Sequence, residues 1–152
     1  MPFGIPEAMM EEHEDLHREL KKATKIRGPV GKAARRVAEV LHPHFEKENE
    51  VALPIIGITK ELAEGKESND FSKAAELFNR FRPEYENMLK EHIEIVAAVA
   101  ELEAVARKAK KIHVLEFARK LKLHAKVEED LTYPAVLMAG LLLKQREEAI
   151  HW

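Results

Sequence analysis

Cysteine is absent from this chain of 152 residues, which excludes disulfides, thiolate metal ligands and cysteine nucleophiles. A long hydrophobic run is also missing, because the longest, residues 135–143, includes a glycine and is too short to span a bilayer. Charge of one sign is not in excess either, since the formal net charge is −2 at pH 7. The composition therefore gives no reason to expect a membrane or a nucleic acid as a partner.

The first residues, Met-Pro-Phe-Gly-Ile-Pro-Glu, lack the basic and apolar regions of a signal peptide, so a cytoplasmic protein is expected. Charged residues make up 34% of the chain and hydrophobic residues 45%, which is typical of a globular protein. At this length we expect one domain over residues 1–152, with an N-terminal arm at 1–6 and a tail at 149–152.

Alternation of apolar and polar residues, the pattern typical of β-strands, does not occur over any useful length. Apolar residues and histidines instead recur at helical spacing, which predicts helices over residues 7–25, 30–56, 70–110 and 114–148. A short helical piece is expected at 58–64. Kinks are expected at Pro43, Pro54 and Pro83 and are allowed at Pro134 and Gly140. Four long helices with short links predict an all-α fold, an antiparallel up-down-up-down four-helix bundle.

A repeated motif organises the two halves of the chain. His44-x3-Glu48 is followed by Pro54, and the same residues recur 80 positions later (124 − 44) as His124-x3-Glu128 and Pro134. His13 and His92 also correspond, at an offset of 79 (92 − 13), each preceded by a glutamate. The halves are therefore predicted to form a pseudo-twofold pair of αα-hairpins, with the histidines at the centre.

A histidine and a glutamate four residues apart lie one turn from each other on one helix face. If the histidines and glutamates of both halves are buried together at the centre, they would be very costly without a ligand, and two metal ions would satisfy them. Imidazole and carboxylate without thiolate suit iron, manganese or zinc. The predicted metal ligands are His13, His17, His44, Glu48, His92, His124 and Glu128.

The pattern His … His-x3-Glu … His … His-x3-Glu resembles the hemerythrin, or HHE cation-binding, family over nearly the whole chain. The resemblance implies a four-helix bundle that holds a non-haem site of two iron ions. Hemerythrins that carry dioxygen have one more histidine, in a His-x3-His pair on the third helix. Here His13 and His17 form such a pair on the first helix, and Val96 stands at the matching place on the third.

On this resemblance His13, His17 and His44 are expected on one iron, and His92 and His124 on the other. Glu48 and Glu128 would bridge the two ions. Glu129 has the spacing of the oxygen carriers' last carboxylate, but Glu128 is preferred because its counterpart Glu48 is followed by Asn49. The iron with two histidines would keep an open position for O₂, peroxide or NO.

Three functions remain open at this point. The first is binding or sensing of O₂ or a related small ligand, or iron handling. The second is an enzyme that reduces NO or peroxide, as in the di-iron proteins that repair iron–sulfur clusters, whose site has four histidines and two glutamates and so does not require His17. The third is a metal-free helical interaction domain.

Overall fold

A computed structural model describes residues 4–150, with the side chains of residues 4–149. All of the secondary structure in this range is helical. The α-helices are α1 (Glu7–Thr24), α2 (Pro29–Lys47), α3 (Leu53–Ile56), α4 (Thr59–Ala63), α5 (Phe71–Lys108), α6 (Ile112–Val127) and α7 (Tyr133–Ile150). Two π-helical turns complete the set: π1 (Glu48–Ala52) joins α2 to α3, and π2 (Glu128–Thr132) joins α6 to α7.

The predicted helices agree with this order to within a few residues, and α4 lies in the connection where a short helix was expected. Residues 4–6 of the predicted arm are not helical, whereas α7 continues to Ile150, two residues into the predicted tail. The remaining residues of the arm and the tail lie outside the described part of the chain. Within that part, no helix combines the length and the apolarity needed to cross a membrane.

The turn between α1 and α2 is set by glycine and proline. Gly28 has φ = 87°, in the left-handed region that side chains disfavour, and Pro29 follows as the first residue of α2. At the start of α5, Asp70 occupies the capping position, but its side chain makes no capping hydrogen bond. Instead its backbone N–H donates to the Ser68 hydroxyl at 3.2 Å.

Each π-turn ends two residues before a proline at which a kink was predicted or allowed. In each turn a backbone N–H reaches back five residues: Leu53 donates to the Glu48 carbonyl, and Tyr133 donates to the Glu128 carbonyl. Pro54 and Pro134 lack an N–H, and their rings would clash with the carbonyl four residues earlier, so the wider turn gives them room. At Pro43 and Pro83, by contrast, α2 and α5 are uninterrupted helices.

Apolar packing is divided into two clusters. Cluster 1 is built from α1, α2, α6 and the second half of α5, with Val37, Leu41, Val99, Phe117 and Leu121 among its members. Cluster 2 is built from π1, α3, α4, α7 and the first half of α5, and includes Ile55, Phe78, Phe81, Met88 and Val136. The buried polar residues lie where the two clusters meet.

Gly140 was expected to allow a kink, and the structure shows a packing reason for it. A Cβ atom at Gly140 would lie 2.1 Å from the ring of Phe78, so only glycine lets α7 approach α5 this closely. The close approach helps to close cluster 2 beneath the polar residues.

Candidate metal centre

Five ionisable side chains between the two clusters are almost completely buried, and a sixth, His124, is nearly so. The exposed fraction is 5% or less for the five, which are His13, His44, Glu48, His92 and Glu128. The His124 side chain is 10% exposed. They come from α1, α2, π1, α5, α6 and π2, so each half of the chain supplies two histidines and one glutamate.

Donor atoms of these residues converge in two groups of four that could each hold a metal ion. The first, called the His13/His124 group, consists of His13, His124, Glu48 and Glu128, and the second, the His44/His92 group, consists of His44, His92, Glu48 and Glu128. Within each group one donor atom per residue lies within 4.8 Å of all the others. Both glutamates therefore belong to both groups.

Each glutamate turns one oxygen toward each group. Glu48 places Oε1 3.6 Å from His13 Nε2 and Oε2 3.5 Å from His44 Nε2. Glu128 places Oε2 3.2 Å from His124 Nε2 and Oε1 3.1 Å from His92 Nε2. A carboxylate in this position can bind one ion with each oxygen, which is what a bridging ligand does.

All four histidines present Nε2 to the centre, and the opposite nitrogen, Nδ1, is held from outside. His13 Nδ1 lies 3.1 Å from the Asn49 amide oxygen, and His92 Nδ1 lies 3.0 Å from a Glu129 carboxylate oxygen. His44 Nδ1 lies 2.7 Å from Glu91 Oε1, and His124 Nδ1 contacts Glu12 Oε1. An oxygen acceptor on Nδ1 fixes the ring and leaves the Nε2 lone pair facing inward, as in most metal-binding histidines.

These outer partners follow the same repeat as the histidines. Glu12 and Glu91 each stand one residue before the first converging histidine of their half, and Asn49 and Glu129 each stand one residue after the buried glutamate. Glu91 is held in turn by Lys47, whose Nζ lies 2.6 Å from Glu91 Oε2. The duplication therefore extends beyond the inward-facing donors to the groups that orient them.

Contacts in the centre favour the protonated forms of His44, His124 and Glu48 when no cation is bound. Burial opposes the charged form of His44, but the nearby carboxylates of Glu128 and Glu48 outweigh it and raise the pKa of His44 to about 10. Burial likewise opposes charge on His124, whereas Glu128 and Glu12 raise its pKa to about 9. Burial and the negative charge of Glu128 raise the pKa of Glu48 to about 7.

The pKa of Glu128 shifts downward, and the same group of contacts causes this shift. Burial alone would raise the pKa of Glu128, but close contacts with Glu48, His124 and His13 hold it well below its usual range. The two glutamates therefore share protons unequally, with Glu48 the more readily protonated. A divalent cation would remove the need for these protons.

Two buried atoms in the centre have no hydrogen-bond partner: Glu48 Oε1 and His124 Nε2. His124 Nε2 approaches Glu128 Oε2 at 3.2 Å without hydrogen-bond geometry. Unpaired buried polar atoms are costly, and a cation between these donors would satisfy both. A donor set of imidazole and carboxylate, with no thiolate, fits iron, manganese or zinc.

No protein-family model, curated protein or solved structure matches this chain. The support for a function therefore comes from the geometry of the centre itself.

Two expectations about the ligands differ from the geometry. His17 belongs to neither group; its side chain is exposed, and its ring lies 6.0 Å from that of His42. The same spacing keeps Glu48 beside His44, so the helical turn alone does not exclude His17. Packing of α1 against α2 decides its position, and His17 lines a surface pocket together with His42 and Phe45.

The division of the histidines also differs. The expected set of His13, His17 and His44 does not form; His13 meets His124 and His44 meets His92 instead. Each pair joins a helix of one half of the chain to a helix of the other. The choice between neighbouring glutamates follows the expectation in position, since Glu128 faces inward and Glu129 outward to His92.

Sequence reasoning missed Tyr133, whose side chain is fully buried. Its hydroxyl donates to Glu48 Oε2 at 2.5 Å and lies 3.1 Å from His92 Nε2 and 3.2 Å from His44 Nε2. Burial and the negative charges of Glu48 and Glu128 raise its pKa, so the hydroxyl remains a donor. The only signal was its place beside Pro134 in the second copy of the motif.

Proposed function

We propose that this chain is a hemerythrin-like protein whose two ligand groups hold two iron ions and bind O₂ or a related small ligand. The observation that supports this most strongly is the position of Glu48 and Glu128. Each turns one carboxylate oxygen toward each group, so a pair of ions would share both carboxylates. One site for a single ion would not need two such groups of donors.

Iron supplies reversible redox chemistry and an affinity for diatomic ligands, while the chain supplies position and environment. The four histidines would bind as terminal ligands, because their Nδ1 atoms are already occupied by oxygen acceptors. Clusters 1 and 2, on either side of the centre, would exclude water. Exclusion of water strengthens electrostatic contacts inside and protects a bound ligand from side reactions.

The proposal includes an antiparallel four-helix bundle with a pseudo-twofold axis through the centre. Support comes from the cluster membership of the long helices. Along α2 the residues of cluster 1 other than Phe45 precede His44, whereas along α5 the residues of cluster 2 precede His92 and those of cluster 1 follow it. The two helices therefore run in opposite senses past the site.

A second candidate is an enzyme that consumes NO or peroxide at the same ions. It is favoured by the number of ligands that converge, which is four histidines and two glutamates without His17. The di-iron proteins that repair iron–sulfur clusters, named with the family resemblance above, have a site with that number of ligands. Turnover of NO or peroxide by the iron-loaded protein, measured against the metal-free protein, separates this candidate from simple binding.

The test is anaerobic loading with ferrous iron, followed by metal quantitation and an absorption spectrum before and after exposure to air. We expect about two irons per chain and an oxygen-dependent change in the visible spectrum, because each group offers four donors. The chain offers a matched control. His42 and Glu46 have the same i,i+4 spacing as His44 and Glu48, but their side chains are 60% and 68% exposed.

The double variant H44A/E48Q should lose iron, and H42A/E46Q should retain it. Circular dichroism of each variant shows whether the helices are intact. Failure of the wild-type protein to bind iron, manganese or zinc would contradict the proposal. Equal iron in the two double variants would show that binding occurs elsewhere. Unchanged iron and spectrum in His17→Ala would agree with a site of four histidines.

A further inference from the structure

The residue directly after each π-turn differs between the two halves of the chain. Leu53 follows π1 and Tyr133 follows π2, at the offset of 80 (133 − 53) that relates the two motifs. The backbone N–H of each donates to the carbonyl of the buried glutamate of its own half. Both side chains are buried, so each is directed into the interior from an equivalent position.

In the His44/His92 group the inner space is taken by the Tyr133 hydroxyl. Its oxygen is between 2.5 and 3.2 Å from three donor atoms of that group, one each on Glu48, His44 and His92. Donor atoms that bind one octahedral ion side by side lie about 3 Å apart, since metal–ligand bonds are about 2.1 Å long. The hydroxyl therefore occupies a place where an added ligand would have to bind.

In the His13/His124 group the corresponding space is open. Leu53 has no polar atom, and with His13, His124 and Glu128 it lines a cavity of about 40 Å³. A cavity needs about 10–15 Å³ of such volume to hold one water molecule, so this one has room for a small ligand of two or three atoms. The two unpaired buried atoms of the centre, His124 Nε2 and Glu48 Oε1, both face this group.

We propose that a small added ligand binds only on the His13/His124 side, and that Tyr133 closes the His44/His92 side. This rests on the proposed function, because it requires an ion in each group. Two groups with the same donor residues thus have different tasks. The His13/His124 group exchanges ligands, and the His44/His92 group is closed and holds the shared carboxylate Glu48 in place through the Tyr133 hydroxyl.

The test uses azide as the probe, with iron-loaded wild-type protein and three variants: Leu53→Tyr, Tyr133→Leu and the exchange L53Y/Y133L. Iron per chain is measured first, and azide binding is then titrated by the change in the visible spectrum. Leu131→Tyr is the control, because Leu131 is 66% exposed and the substitution adds the same side chain away from the cavity.

We expect wild type and Leu131→Tyr to bind azide alike, and Leu53→Tyr to bind it at least about tenfold more weakly. Tyr133→Leu should bind a second azide, and the exchange variant should regain one. If Leu53→Tyr does not fold, Leu53→Phe fills the same cavity with fewer added atoms and should also weaken binding.

A wild-type protein without iron would contradict the proposed function rather than this inference. The inference fails if all variants hold iron and Leu53→Tyr binds azide as wild type does. It also fails if Tyr133→Leu leaves the number of azides unchanged.

Discussion

The two ligand groups have the same chemistry but different surroundings. Each has two histidines with Nδ1 held from outside, and both use Glu48 and Glu128. The side chains of His44 and His92 are 1% exposed, whereas the His124 side chain is 10% exposed and its outer partner Glu12 is 54% exposed. The duplicated motif thus supplies the same donors to both groups. The residues around them make the His44/His92 group more deeply buried and closed, and the His13/His124 group shallower and open.

The largest effect is expected from removing a carboxylate that the two groups share. Glu128→Gln replaces a carboxylate that faces both groups, so we expect the metal content to fall from about two ions per chain to well below one. His13→Ala removes a donor of one group only and should leave about one ion. Inductively coupled plasma mass spectrometry measures both, with Glu46→Gln as the exposed control.

If Glu128→Gln and His13→Ala lose the same amount of metal, Glu128 does not bridge the groups. Retention of two ions by Glu128→Gln would contradict its assignment as a ligand of either group.

Removing all metal should lower the melting temperature, because an ion that binds only the folded state stabilises it. At metal concentrations near a thousand times the dissociation constant this is about 4 kcal/mol, or about 10 °C for a chain of this size. His13→Ala, which keeps only the His44/His92 ion, should show a smaller dependence on metal. Differential scanning calorimetry with and without chelator checks both.

A melting temperature that is indifferent to chelator, in a protein purified without metal, would instead support a helical interaction domain that binds no metal.

Rising pH should destabilise the metal-free protein through one histidine of each group. The pKa of His44 is raised from 6.5 to about 10 and that of His124 from 6.5 to about 9. Groups with a raised pKa stabilise the fold fully below the unfolded value, and this contribution disappears as pH passes the folded value. Glu48, raised from 4.5 to about 7, acts in the same direction at lower pH.

We therefore expect the urea concentration at the unfolding midpoint of the metal-free protein to decrease as the pH rises from about 6.5 to about 10. His124→Gln should remove the part of the decrease that lies between about pH 6.5 and pH 9, and His44→Gln the part between about pH 6.5 and pH 10. A midpoint that increases with pH over this range would show that the histidines are not protonated in the folded state.

The smallest effect on metal affinity is expected from the residues that hold the histidine Nδ1 atoms from outside. Glu91→Gln should weaken metal binding by about tenfold, since groups that orient a ligating histidine typically contribute this much. Glu12→Gln should have less effect, because Glu12 is 54% exposed and Glu91 only 29%. Competition with a chromophoric chelator measures the affinities, and Glu50→Gln, in an exposed pair with Arg80, is the control.

Equal losses in Glu91→Gln and Glu12→Gln would show that burial of the outer partner does not distinguish the two groups.

The six residues that converge could be identified from the sequence because helical spacing fixes which side chains share a face. His44 with Glu48, and His124 with Glu128, are one turn apart, and the repeat supplies His13 and His92. The helical segments followed from the same periodicity. His17 could not be placed this way, because a residue one turn from a ligand is still near the same face, and only packing decides how far the centre extends.

The pairing of the histidines across helices could not be read from the sequence either. Which imidazoles meet depends on how the halves pack, and His13 with His124 joins residues 111 positions apart (124 − 13). Tyr133 was missed for a related reason. Its direction depends on π2, and the uniform 3.6-residue spacing used to place the helices does not include the extra residue of that turn.

The π-turns also have a consequence for how the two halves could diverge. Each turn accommodates one residue more than an uninterrupted α-helix, and one residue corresponds to about 100° of rotation. Loss of a single residue between Glu128 and Tyr133 would rewind the helix, leaving Glu128 in place while swinging the phenol away from the donors. A deletion of one codon could thus open the closed group without changing any of the six converging side chains.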